Sequence, residues 1–206
     1  MKKPIAIILL IASTILTSCG DRPAGSSAAP EARPETVETA AATPLSDAEI
    51  VAAWIAAATG DIDTVKSALA RGLDVNDRDP NSGGAILIGA AFAGQTEIVK
   101  ALLEKKPDLE AKNNEGGTAL FNAAFFCHPE TLDALIEAGA AVNAKNKNGA
   151  TALDAATTPW TPEIAGIYKF IGGVLQMEFD LDRIQKTRPK IADILEKHGG
   201  KKAAEL

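Results

Sequence analysis

"GGTALFNAAFFCHPETLDALIEAGAAVNAKN", residues 116–146, is the stretch on which the fold turns. Phe125 and Phe126 stand side by side in a chain with only six phenylalanines, two tryptophans and one tyrosine. Cys127 and His128 follow at once. A thiol beside an imidazole suggests a nucleophile or a metal ligand, yet the same stretch also reads as one unit of a repeat. Two other segments decide between these readings. "ATGDIDTVKSALARGLDVNDRD" (58–79) and "FAGQTEIVKALLEKKPDLEAKN" (92–113) align with "FFCHPETLDALIEAGAAVNAKN" (125–146). Gly60 to Gly94 is 34 residues, and Gly94 to Cys127 is 33.

Each unit has the same internal order. Paired alanines close a short apolar run: Ala56–Ala57, Ala90–Ala91 and Ala123–Ala124. A tight turn follows. An amphipathic helix comes next, with Ile98, Val99, Leu102 and Leu103 in one unit and Leu132, Leu135 and Ile136 in another. A polar turn ends the unit at Val75–Asn76 or Val142–Asn143. Neither helix of such a pair can bury its apolar face alone, so the units must stack. Alanine pairs allow the backbones to approach closely.

With its period of about 33, this pattern resembles the ankyrin repeat. The matching residues are Gly116–Gly117–Thr118–Ala119–Leu120, Gly149–Ala150–Thr151–Ala152–Leu153 and Gly139–Ala140–Ala141–Val142–Asn143. The resemblance implies an all-α solenoid of about four helix-turn-helix units over residues 45–200, at about 46–79, 80–112, 113–145 and 146–200, with 201–206 as a tail. The family's start-motif proline is replaced by Ile86, Ala119 or Ala152, and its histidine by Ile88, Phe121 or Asp154. The capping hydrogen bonds of those residues are therefore expected to be missing. Ser46–Asp47–Ala48–Glu49 forms a capping box that suits an N-terminal unit.

The fourth unit is interrupted. Ile194 lies 59 residues after its counterpart Leu135, so about 26 residues are inserted, at about 160–186. The second helix of that unit is expected near Pro189. The insertion carries Ile164, Ile167, Tyr168, Ile171, Val174 and Leu175 at helical spacing, with Gly172–Gly173 expected to break or bend it. It either covers the core of the last repeat or offers itself to a partner.

The resemblance also implies where contacts fall. The two residues after the paired alanines face the concave surface in the family. Here they are Ala58 and Thr59, Phe92 and Ala93, then Phe125 and Phe126. Phe92, Phe125 and Phe126 would thus form an exposed aromatic patch, with Tyr168 as a further candidate contact, unless the inserted segment folds back and buries them. Arg78, Lys112 and Lys145, with Lys147 nearby, recur before successive finger tips as a candidate basic stripe. Asn114 and Glu115 complete the candidate partner-binding set. His128 then reads as a helix N-cap ahead of Pro129. Zinc needs about four convergent donors, and the other histidine, His198, is remote, so neither a metal site nor a catalytic residue is assigned.

At the other end, MKKPIAIILLIASTILTSCG has a basic start and an apolar run too short to span a bilayer. Leu16–Thr17–Ser18–Cys19 resembles a bacterial lipobox. That implies a signal peptide at 1–18, lipidation of Cys19 and a membrane anchor. Gly20 in place of aspartate points to the outer membrane in preference to the inner. Residues 20–44 hold four prolines and no apolar periodicity, as a disordered tether would. Net charge is −6, or −8 without Lys2 and Lys3, which argues against a nucleic-acid partner. With Cys19 lipidated, Cys127 has no disulfide partner.

Three functions fit. The first is a non-enzymatic, envelope-anchored protein-binding module facing the periplasm, acting as a scaffold or as an inhibitor or immunity protein for an enzyme there. The second is a small-ligand binder or enzyme accessory protein with a pocket under the insertion. The third is a dimer paired through the apolar insertions. No cofactor is implied, and the oligomeric state is open.

Overall fold

The computed structural model describes residues 45–79 and 82–206. The expected targeting segment, Cys19 and the expected tether lie outside the described residues. The expected all-α solenoid of stacked helix pairs is what the chain forms. The inner row is α1 (Asp47–Thr59), α3 (Ile86–Phe92), α5 (Ala119–Phe125) and α7 (Ala152–Thr157). The outer row is α2 (Ile62–Ala70), α4 (Thr96–Leu103), α6 (Pro129–Glu137) and α9 (Leu181–Lys197). Each inner helix packs on the next, as does each outer helix. The inserted helix α8 (Pro162–Leu175) lies between α7 and α9 in the chain.

The alanine pairs sit where the rows meet. Ala57, Ala90, Ala91, Ala123 and Ala124 are almost wholly buried, with Val65, Val99, Leu132 and Leu135 beneath them. At the fingers between units, the backbone closes through equivalent bonds: Asp79 N to Gly84 O (2.9 Å), Asn113 N to Gly117 O (3.0 Å) and Asn146 N to Ala150 O (3.0 Å). Short polar side chains shape the tips, since Asn113 Oδ1 accepts from Gly117 N and Asn146 Oδ1 from Ala150 N. Gly116 must be glycine: its φ is 77°, and a Cβ there would lie 2.6 Å from Lys147 N. Among the described residues the one β-bridge outside the helices joins Arg78 and Ala85.

Several expectations need correction. Caps are not generally lost. The Thr118 hydroxyl accepts from Phe121 N at 3.2 Å, and Thr151 with Asp154 forms a reciprocal capping box. Only α3, entered through Ala85, lacks a side-chain cap among the inner helices. A cap contributes about 1 kcal/mol, so the expected weakening is confined to unit two. The Ser46–Glu49 box is present. The glycine pair does not break α8, which runs through it to Leu175. The last outer helix begins at Leu181, so Pro189 lies inside α9. Nor is the C-terminus free: Lys201 N donates to Asn143 Oδ1 (2.7 Å) and Ala203 N to Asp154 Oδ2 (2.9 Å).

Candidate functional site

The expected exposed aromatic patch is instead the inside of a roof. Phe126 is 4% exposed and Tyr168 0%, while Phe92 and Phe125 are half-buried. Phe126 meets Phe92 edge-on at 4.3 Å between centroids and tilts against Phe179 at 5.2 Å. A second run of rings stacks from Phe121 through Phe125 and Tyr168 to Trp160, at 6.3, 4.8 and 5.7 Å. Tyr168 comes from α8, and Phe179 from the turn after it. The insertion therefore folds back over the inner helices of units two and three. Phe126 and Tyr168 are core residues and not partner contacts. These rings pack beneath the middle of the insertion, and the pocket that remains is an open one at its C-terminal end, lined by Tyr168, Gly172, Phe179 and Leu181.

A repeated hydrogen bond explains why the roof sits there. Ala58, Phe92 and Phe125 occupy equivalent positions at the ends of successive inner helices, and their carbonyls point toward the next layer. Gln95 Nε2 reaches Ala58 O at 3.5 Å, and His128 Nε2 donates to Phe92 O at 3.0 Å. For Phe125 O the donor is the Tyr168 hydroxyl, at 2.7 Å. The inserted tyrosine thus does for unit three what the turn histidine does for unit two. Burial pushes the Tyr168 pKa up to about 12, so it remains the protonated donor.

Two arginines that the sequence reading missed clamp the roof. Arg183 donates to Cys127 O at 2.8 Å and to Phe126 O at 3.3 Å. Arg188, 6% exposed, donates to Thr158 O and lies 5.7 Å from the Trp160 ring centroid. Their only sequence signal was position: Arg183 falls in the part of α9 that was assigned to the insertion, and Arg188 just before the expected helix start at Pro189.

Cys127 and His128 are explained by the same packing. Cys127 has φ 59° where unit two has Gly94, and its side chain is wholly buried. Burial pushes its thiol up to about 11, which disfavours the thiolate a nucleophile needs. His128 occupies the N-cap position of α6, but its ring makes no capping bond, because it bonds Phe92 O instead. Burial lowers its pKa, with the Arg183 charge adding to the shift. The described residues hold no group of three or more His, Cys, Asp or Glu that could bind a metal ion.

The basic stripe is exposed, and its side chains also form a ladder from finger to finger. Arg78 donates to Gly83 O and to Lys112 O, at 3.0 and 2.8 Å. Lys112 Nζ donates to Lys145 O at 2.9 Å, and Lys145 Nζ to Ala203 O at 3.2 Å. Each cation staples its finger to the next one's backbone. Lys147 N similarly donates to Glu115 O (3.1 Å), and Asn114 N to Ser82 O (2.8 Å). Lys147, Asn114 and Glu115 stay exposed at the tips.

The exposed apolar surface lies on the insertion, with Ile167, Phe170 and Val174 on the face of α8 opposite Tyr168. Ile167, Phe170, Val174, Leu175 and Met177 are 44, 72, 66, 47 and 42% exposed, and among the described residues they are five of the seven exposed large hydrophobics.

Residues 53–146 match the family model described as Ankyrin repeats, in three copies. No curated protein matches the chain. Ankyrin repeats are generally protein–protein interaction modules, and the family is typically a non-enzymatic binding scaffold.

Proposed function

We propose that the chain is a lipid-anchored, non-enzymatic protein-binding module of the bacterial cell envelope, a scaffold for a periplasmic protein or an inhibitor of one. The observation that carries the binding role is the apolar surface of the insertion. A contiguous exposed patch of this kind on an otherwise well-packed domain marks an interaction site. Its rigid support, through the Tyr168 hydroxyl bond and the rings beneath α8, fits recognition. The lipobox-like Leu16–Cys19 supports the anchor, and Gly20 supports the outer membrane. Among the described residues no helix is long and apolar enough to cross a membrane.

Two measurements test this. Radiolabelled fatty acid should enter the full-length chain and be lost in Cys19→Ser, with the protein moving from the membrane to the soluble fraction; a labelled or membrane-bound variant would exclude the anchor. Chemical cross-linking followed by capture of the lipidated chain from envelopes should recover a protein partner in stoichiometric amount. Recovery of none would defeat the binding role.

A further inference from the structure

At 100° per residue, Ile167, Phe170 and Val174 fall on one side of α8, opposite the buried Tyr168 and Gly172. Gly166 and Gly173 flank that ridge, and a Cβ at either would meet no atom within 4 Å. The outer face is therefore an apolar ridge beside a bare backbone strip, a shape that accepts a helix ridge-into-groove. The Tyr168 hydroxyl bond and the rings below α8 hold it in place.

Charge decides what lies on it. Glu163 projects from the same side at the helix start, and Glu178, Asp180 and Asp182 follow its end, all exposed. Lys169 is the one cation within α8. Arg183, the next along the chain, is turned onto the carbonyls of Phe126 and Cys127. An anionic membrane surface would be repelled by both ends. A second copy laid antiparallel would set Glu163 of each chain against Glu178 of the other.

We propose that the outer face of α8 docks an amphipathic helix of a partner protein whose apolar stripe is flanked at both ends by Lys or Arg, roughly 20 Å apart to match the 14-residue helix. This rests on the binding-module reading and names the chemistry of its partner. Because the flanking pairs are solvent-exposed, binding weakens as salt rises.

The test uses two labelled helical peptides of about 18 residues with one apolar stripe, one carrying lysines at both ends and the other glutamates. Binding to the mature chain is read by fluorescence anisotropy at about 50 mM salt. The lysine peptide should bind about tenfold tighter than the glutamate peptide. Phe170→Ser should lose about tenfold in affinity for it with an unchanged circular dichroism spectrum, and Glu163→Lys with Glu178→Lys should reverse the preference. Equal binding of the two peptides, or full affinity in Phe170→Ser, overturns the proposal. So does a dimer in sedimentation that Phe170→Ser dissociates, which would make a second copy the occupant. Preferential retention of the unlipidated chain on anionic over zwitterionic vesicles would make it a membrane and overturn it as well. A captured envelope partner that Phe170→Ser still holds defeats the docking face and leaves the binding-module reading standing; capture of no partner defeats that reading, while the peptide preference still decides the face.

Discussion

Phe126 and Phe170 are both large aromatic residues, and their difference is the main lesson at the residue scale. Phe126→Ala removes a ring enclosed by Phe92, Phe125, Tyr168 and Phe179, and should cost about 3–5 kcal/mol in urea unfolding. Phe170→Ser changes a ring that is 72% exposed and should alter stability by less than about 0.5 kcal/mol. Sequence reasoning singled out Phe126 and its neighbours as a cluster but gave them the wrong exposure. Their burial depends on Tyr168 and Phe179, some forty to fifty positions downstream, where no local pattern fixes the direction of fold-back. Ionisation follows the same packing. With its thiol pushed up to about 11 from an ordinary 9.0, Cys127 should resist a thiol reagent at pH 8 until denaturant unfolds the chain; rapid labelling of the native protein would contradict its burial. Glu49 is held down to about 2 by its bond from Arg71 and by Ser46. A depressed carboxylate stabilises the fold above its ordinary 4.5 and loses that contribution as pH falls toward 2. Glu49→Gln should therefore flatten the decline of stability between pH 4.5 and 2, and an unchanged pH profile would contradict the pairing.

At the scale of elements, the inner and outer helices were legible because their spacing repeats and each repeat confirms the last. The starts of α6 and α1 were legible from local signals, Pro129 at the first helical position and the Ser46–Glu49 box, which need no tertiary information. Longer-range consequences were not legible. Arg78, Lys112 and Lys145 form the exposed charged stripe that their spacing suggested, but their bonds to the next layer's carbonyls could not be read from that spacing. Lys112→Ala should cost about 0.5–1.5 kcal/mol, equally at low and high salt, because a lysine–carbonyl bond is lost and no ion pair is broken. The early start of α9 was hidden by Pro189, which usually opens helices but here sits in the middle of one. In α8, the glycine pair signalled a break, whereas Gly172 serves a close return of the chain. A Cβ there would lie 2.5 Å from Met177 O, so Gly172→Ala should destabilise by about 1–3 kcal/mol, while Gly173→Ala, which meets nothing, should stay near neutral.

At the scale of the whole molecule, the stack forms a row of helix pairs with one side roofed by its own insertion. The roof makes Phe126 a core residue and half-buries Phe92 and Phe125, and it leaves the open apolar surface on the back of α8. The central claim is that this helix is anchored from below and available from above. Hydrogen exchange on the purified chain, alone and with excess lysine-flanked peptide, tests it most directly. Amides of α5, α6 and α9 are predicted to be protected in both states, with α8 gaining protection when the peptide is added. An α8 that exchanges freely in both states, or added protection confined to α3 and α5, would contradict the account.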